Sequence, residues 1–314
     1  MKPDSKIYIA GHTGMVGAAL LHQLQAQGYT NLLFKTHSEL DLTNQQAVQD
    51  FYSQEKPDYV FLAAAKVGGI LANHTYPADF IYQNLAIQTN VLHAAYQFGV
   101  KRLLFLGSVC MYPKHCPQPI KEEHLLTGPL EPTNEPYAIA KIAGIKMCEA
   151  YNRQYGTQFL CAMPTNLYGP GDNFDLQTSH VLPALIRKFH EAKTHRTPVT
   201  LWGSGKVRRE FLHVEDCAQA CIFLMNLSEE RFMEQLNYPA GPLMNVGSGD
   251  DITILDLAQL IQDIVGAKGE IQWDSSKPDG TPKRKLDMTR LNGLGWASSI
   301  SLLDGIQKTY KWYQ

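Results

Sequence analysis

The run Gly11-His12-Thr13-Gly14-Met15-Val16-Gly17 constrains this chain more than any other stretch, because an apolar segment, Lys6 to Ala10, precedes it and an amphipathic one follows. A strand that turns through three glycines into a helix is the opening unit of a doubly wound sheet. Gly11 permits the tight turn, Gly14 lets a ligand approach the backbone, and Gly17 lets helix and sheet pack closely. The helix that follows presents unpaired N–H groups and the positive end of its dipole, which suits the pyrophosphate of a dinucleotide. Thr13, Met15 and Val16 line the same turn.

The first half of the chain repeats this alternation. Short apolar runs at Asn31 to Lys35, Tyr59 to Ala63, Leu103 to Gly107 and Phe159 to Met163 read as strands. Between them, Met15 to Gln27 reads as a helix stopped by Gly28, Thr43 with Gln46 offers a capping box for a helix ending before Pro57, and a longer helix spans Pro77 to Phe98. The pattern predicts an α/β fold, a Rossmann-type doubly wound parallel sheet over residues 1–165. After Pro164 loops rich in Gly, Pro, Asn and Asp appear, then a helix from Val181 to Ala192 and scattered short strands. These predict a smaller C-terminal α/β substrate-binding lobe over 166–314, with 211–225 and 245–249 returning to the first lobe.

Composition narrows the function classes. With 314 residues, 44% apolar and 18% charged, the chain can bury a substantial core and is not a disordered protein. A net charge of -2 creates no global field for nucleic acid or an anionic membrane, so neither is an expected partner. The apolar stretch Val60 to Ala72 is interrupted by Lys66 and two glycines, too short for a membrane span. The six cysteines, Cys110, Cys116, Cys148, Cys161, Cys217 and Cys221, follow a start without an apolar leader, so reduced thiols in the cytoplasm are expected. Cys110, His115 and Cys116 cluster, as do Cys217 and Cys221, but neither group has a second Cys/His pair at zinc spacing, so no metal is expected.

The end of the second strand reads Lys35-Thr36-His37-Ser38. An acid there would grip a ribose 2′-hydroxyl, whereas a basic group accommodates a 2′-phosphate. No carboxylate appears before Glu39, so NADPH is favoured over NADH. Tyr137 and Lys141 stand four residues apart, one face of a helix if the segment is helical. An ammonium beside a phenol lowers its pKa and makes it a usable proton donor to a carbonyl oxygen. Ser108, just past the fourth strand, is placed to bond the same oxygen. Any one of these is a weak signal; in this order along one sheet they resemble the extended short-chain dehydrogenase/reductase superfamily.

Longer stretches sharpen the resemblance. Ala63 to Ile70, Tyr76 to Asn84, Glu131 to Lys141, Pro164 to Pro170 and Arg209 to His213 are similar to the GDP-L-fucose synthase family. That resemblance implies epimerisation of GDP-4-keto-6-deoxy-D-mannose at C3 and C5, followed by NADPH-dependent reduction of the C4 ketone. It places the epimerising pair on Cys110 and His180 and the reducing set on Ser108, Tyr137 and Lys141. It also implies cofactor contacts at Leu106, Gly107, Pro164, Asn166, Leu167 and His180, and GDP-sugar contacts at Lys188, Trp202, Arg209 and Asp279. The family often has arginines where this chain has Thr13 and His37, which leaves Lys35, His37 and backbone groups to hold a 2′-phosphate. His213 is expected to be structural, and Lys283-Arg284-Lys285 is a weaker candidate for nucleotide contact, read first as a solvated run. Relatives pair through the helices starting near Pro77 and Tyr137, so a homodimer is expected.

Overall fold

The computed structural model describes every residue except 275 and 277–280. In the first half, β1 (Ile7–Ala10) passes through the glycine turn into α1 (Met15–Ala26). Then come β2 (Leu32–Leu33), α2 (Gln45–Glu55), β3 (Tyr59–Leu62), α3 (Ile70–Thr75), α4 (Pro77–Gln97), β4 (Arg102–Leu106), α5 (Glu135–Tyr155) and β5 (Phe159–Pro164). The second half continues with β6 (Asn166–Tyr168), α6 (Val181–His195), β7 (Val199–Trp202), β8 (Arg208–His213), α7 (Val214–Met225) and α8 (Glu229–Leu236). It ends with β9 (Leu243–Val246), β10 (Asp251–Thr253), α9 (Ile254–Val265), β11 (Ile271–Asp274), β12 (Lys283–Arg284), α10 (Thr289–Gly293) and α11 (Leu302–Tyr313).

Six strands form a parallel sheet in the order β2-β1-β3-β4-β5-β9, with Ile7 paired to Leu32 and Tyr59, and Phe105 to Leu62 and Cys161. Ile7–Ala10 and Arg102–Leu106 are buried along their whole length, because helices cover both faces: α1 packs with α7, and α4 with α5. Each fully covered Leu, Ile or Phe in this layer stabilises the fold by about 1.5–3 kcal/mol. β8 sits between β10 and β12 and also pairs with β6, while β11 pairs with β7. A second apolar core gathers Ile186 and Phe189 of α6, Leu257 and Ile261 of α9 and Ile306 of α11.

Two boundaries differ from expectation. β2 keeps only Leu32–Leu33, because the chain turns away at Thr36, whose N–H and hydroxyl both donate to the Glu39 carboxylate. The cap of α2 is Asn44 rather than Thr43: the Asn44 side chain accepts from the Ala47 N–H at 3.1 Å, and the Thr43 hydroxyl donates to Asp41 instead.

Candidate active site

The glycine turn has the features a pyrophosphate requires. Gly11 lies at φ +88°, and a Cβ at Gly17 would stand 2.0 Å from the Gly11 carbonyl oxygen, so only glycine lets α1 close onto the turn. Gly14 caps α1 with no side-chain acceptor, and the first turn holds no acid, so the first N–H groups are left for a ligand. The buried Nδ1 of His12 has no partner in the protein. At the end of β2, Lys35 lies 4.0 Å from Glu39 and His37 is 84% exposed. The Glu39 carboxylate is already engaged by the Thr36 N–H and hydroxyl.

Four of the expected catalytic side chains meet at the carboxyl end of β4. Ser108 caps a single 3-10 turn, Val109–Met111, and its hydroxyl accepts from the Cys110 N–H at 3.5 Å. α5 brings in Tyr137 and, one turn later, Lys141, whose Nζ donates to the Leu106 carbonyl at 2.8 Å and lies 4.6 Å from the centre of the Phe105 ring. Phe80 of α4 meets Tyr137 edge-on at 6.2 Å. Leu106 ends β4, and Gly107, the next residue, donates to the Ala162 carbonyl of β5 at 2.8 Å. Pro164 ends β5; Asn166, in β6 with Leu167, donates from its side chain to the Glu210 carbonyl at 2.8 Å.

The electrostatics depart from the expectation for Tyr137. Burial pushes its pKa well up, the neighbouring Cys110 adds to the rise, and only the bond to Ser108 opposes it. Lys141 does not lower it here, because its ammonium is turned to the Leu106 carbonyl. Burial instead brings Lys141 down to about 8. Burial also raises Cys110, against the hydrogen bond from Ser108 and the charges of Arg284 and Lys141, and it lowers His180. At neutral pH the thiol and the imidazole are therefore both uncharged, one able to give a proton and the other to take one.

His180 is the N-cap of α6, and the loop before it meets the glycine pair that follows β3. Gly69, after β3, donates to the Thr178 carbonyl at 2.8 Å, and a Cβ on it would meet the Ser179 oxygen at 2.7 Å. A Cβ on the adjoining Gly68 would meet the ring of Phe80, which lies against Tyr137, so the loop before His180 and that ring flank the same glycine pair. Asp172, in the loop whose Gly171 passes near Met15, is raised to about 7 by burial and has an unpaired carboxylate oxygen. Gly68 and Gly69 belong to the Ala63 to Ile70 stretch that carries the resemblance, but neither they nor Asp172 have a role that spacing alone reveals.

The substrate candidates lie on the second-half elements. Lys188 donates to the Thr200 carbonyl at 3.0 Å, and Trp202 at the end of β7 is 67% exposed. Arg209 on β8 donates to Thr281 at 2.6 Å and is lowered to about 10 by burial and by Arg284. Asp279 lies outside the described residues. His213 caps α7 by accepting from the Glu215 N–H, a structural use as expected. The run Lys283-Arg284-Lys285 is not simply solvated: Arg284 is 9% exposed, and its Nη1 donates to the Val109 carbonyl at 2.7 Å. Sequence carries no signal for this, since β12 is only two residues long and its inward turn is set by pairing with β8.

The NAD dependent epimerase/dehydratase family matches residues 7–237. GDP-L-fucose synthase 1 of Arabidopsis thaliana is 57% identical over 99% of this chain and 93% of its own length. GDP-L-fucose synthase of Escherichia coli (strain K12) is 56% identical over 98% and 96%. This chain belongs to the NAD dependent epimerase/dehydratase family, among the GDP-L-fucose synthases. Among solved structures, a GDP-mannoheptose C4 reductase from Campylobacter jejuni with NADP bound superposes with a TM-score of 0.91 at 44% identity, covering 100% of this chain and 99% of that one. A GDP-L-fucose synthetase from Naegleria fowleri bound to NADP gives 0.88 at 28%, covering 100% and 95%. Among the described residues no helix is long and apolar enough to cross a membrane.

Proposed function

We propose that this enzyme converts GDP-4-keto-6-deoxy-D-mannose to GDP-L-fucose, by epimerisation at C3 and C5 and NADPH-dependent reduction at C4. The observation that carries the reading is a thiol, Cys110, seated beside Ser108, Tyr137 and Lys141 in one cleft. A reductase alone has no use for an acid–base thiol at that place.

The C4 ketone acidifies the C–H bonds on either side of it. Ser108 and Tyr137 donate hydrogen bonds to its oxygen and stabilise the enolate that forms when a neighbouring proton leaves. Cys110 and His180 divide the work: one removes the proton from one face of the sugar and the other returns a proton to the opposite face. NADPH, when bound, supplies the hydride that reduces C4. Tyr137 then gives its proton to the ketone oxygen, and Lys141, its ammonium swung from the Leu106 carbonyl toward the phenol once substrate fills the cleft, stabilises the phenolate left behind. Lys35, His37 and the N-terminus of α1 hold the cofactor's phosphates, while Arg209 and Lys188 suit the GDP diphosphate and Trp202 a sugar or base face.

The same reading takes residues 1–165, with 211–225 and 245–249, as the cofactor lobe, and places the enzyme in the cytoplasm. It makes the protein a homodimer through α4 and α5, which expose Tyr82 and Ile139. The test is incubation of purified protein with GDP-4-keto-6-deoxy-D-mannose and NADPH, and chromatography of the product against authentic GDP-L-fucose. GDP-L-fucose supports the reading. A reduced but unepimerised sugar makes the protein a C4 reductase, and no NADPH consumption refutes both.

A further inference from the structure

Cys110 is presented by a single 3-10 turn, a short element whose own hydrogen bonds hold it weakly. What fixes that turn from outside is a strand from the far side of the cleft. Arg284 of β12 passes a buried guanidinium across to the Val109 carbonyl, one residue before the thiol. β12 is itself anchored on two sides. It pairs with β8 so that Arg284 stands opposite Arg209, and the Leu286 N–H donates at 2.7 Å to Glu210, a carboxylate with no exposed surface. On the other side, Ile120 donates to Lys285 at 2.7 Å and accepts from Asp287 at 2.8 Å, and Gln118 accepts from the Lys285 N–H at 2.9 Å. The segment that follows Cys110 is thereby strapped to residues 284–287.

We propose that Arg284 is a positioning residue for Cys110: it holds the turn that presents the thiol and sets that turn by the strand that also places Arg209. Loss of the guanidinium then slows proton exchange on the sugar while leaving cofactor binding intact. The proposal rests on Cys110 being the epimerising thiol. The charged or titratable groups facing Cys110 are Tyr137 and Lys141 from α5 and Arg284 from β12, with the Ser108 hydroxyl on its own turn. Two of these are cations that favour the thiolate. Removing Arg284 leaves only Lys141 against the burial of the sulfur.

The test is the pH dependence of Cys110 alkylation by iodoacetamide, followed by peptide mass in a Cys116→Ser background, which removes the other partly buried thiol. Arg284→Gln and Arg284→Lys are compared with the parent without substrate. Arg284→Gln is expected to shift the alkylation midpoint up by about one pH unit, a tenfold loss of thiolate at neutral pH. Arg284→Lys, which keeps the buried charge, is expected to shift it less and to fold if the glutamine variant does not. A role confined to stability would lower the unfolding temperature and leave the midpoint where it was. That result in a folded Arg284→Gln overturns the proposal; where only Arg284→Lys folds, a midpoint wholly unmoved together with undiminished deuterium uptake overturns it. A parallel assay follows deuterium uptake from D2O into GDP-4-keto-6-deoxy-D-mannose. No uptake by the parent protein defeats the reading of Cys110 as an epimerising group, whereas uptake by the parent that is undiminished in Arg284→Gln defeats the role of Arg284.

Discussion

Lys141 is the residue whose cost to the fold is most exposed to measurement. It is 3% exposed, its Nζ donates to the Leu106 carbonyl, and burial brings its pKa to about 8. Relative to an ordinary lysine, that depression corresponds to about 3 kcal/mol, the penalty for holding the ammonium charged in the folded protein at pH 7. The sign follows from proton counts. Between the folded and unfolded pKa values the unfolded chain binds more protons, so this residue's penalty shrinks as pH rises. In Lys141→Met the charge is gone and the side chain keeps its volume, but the Leu106 carbonyl loses its donor at a cost of about 1–3 kcal/mol. The variant is therefore expected to match or exceed the wild type in stability at pH 7, by up to about 2 kcal/mol, while turnover falls by about 10²–10⁴. From pH 7 to pH 9 its advantage should shrink by about 1 kcal/mol, as the wild-type lysine discharges. Urea unfolding of both proteins at the two pH values, without cofactor, measures this. A variant less stable by several kcal/mol at pH 7, or a difference that does not move with pH, would refute the buried-charge argument.

Other perturbations separate the parts of the site. Cys110→Ser should cut deuterium uptake at the sugar by about 10²–10⁴ while NADPH affinity, read by fluorescence titration, stays unchanged; loss of both would indicate a disrupted fold rather than a lost acid–base group. Gly69→Ala places a methyl against the Ser179 and Thr178 oxygens and should shift the start of α6 with His180. Turnover is expected to fall at least about tenfold with an overpacking cost of about 1–3 kcal/mol, and unchanged kinetics would show that the glycine does not place His180. Asp172 is an acid raised to about 7, so its stabilising contribution is fully present below its unfolded pKa and is lost as pH rises through the folded value. Asp172→Asn should therefore melt higher than wild type at pH 8, with the gap gone by pH 4. An equal gap at both values would contradict the burial of that carboxyl.

Much of this site is legible in the sequence because its chemistry is carried by local motifs. The glycine turn requires a strand before it and a helix after it, and both show in hydrophobic period. Tyr137 and Lys141 are one helical turn apart, and Ser108 ends a strand, so each can be placed without knowing the tertiary fold. What the sequence hides is produced by contacts between distant segments. Arg284 looks like part of a solvated basic run until β12 turns it inward to Val109, 175 residues away. Gly69 and Thr178 are likewise joined only by the fold. The electrostatics of Tyr137 are hidden for the same reason: helix spacing puts Lys141 on its face, but in the fold the ammonium donates to the Leu106 carbonyl and burial raises the phenol.

The central claim is that one cleft both exchanges sugar protons and reduces the ketone. Its most direct test is a single reaction in D2O with GDP-4-keto-6-deoxy-D-mannose and NADPH, analysed by mass and proton NMR. The account predicts GDP-L-fucose carrying deuterium at both C3 and C5, formed in step with NADPH oxidation. A reduced product that retains both original hydrogens, or deuterium uptake without any NADPH oxidation, would contradict it.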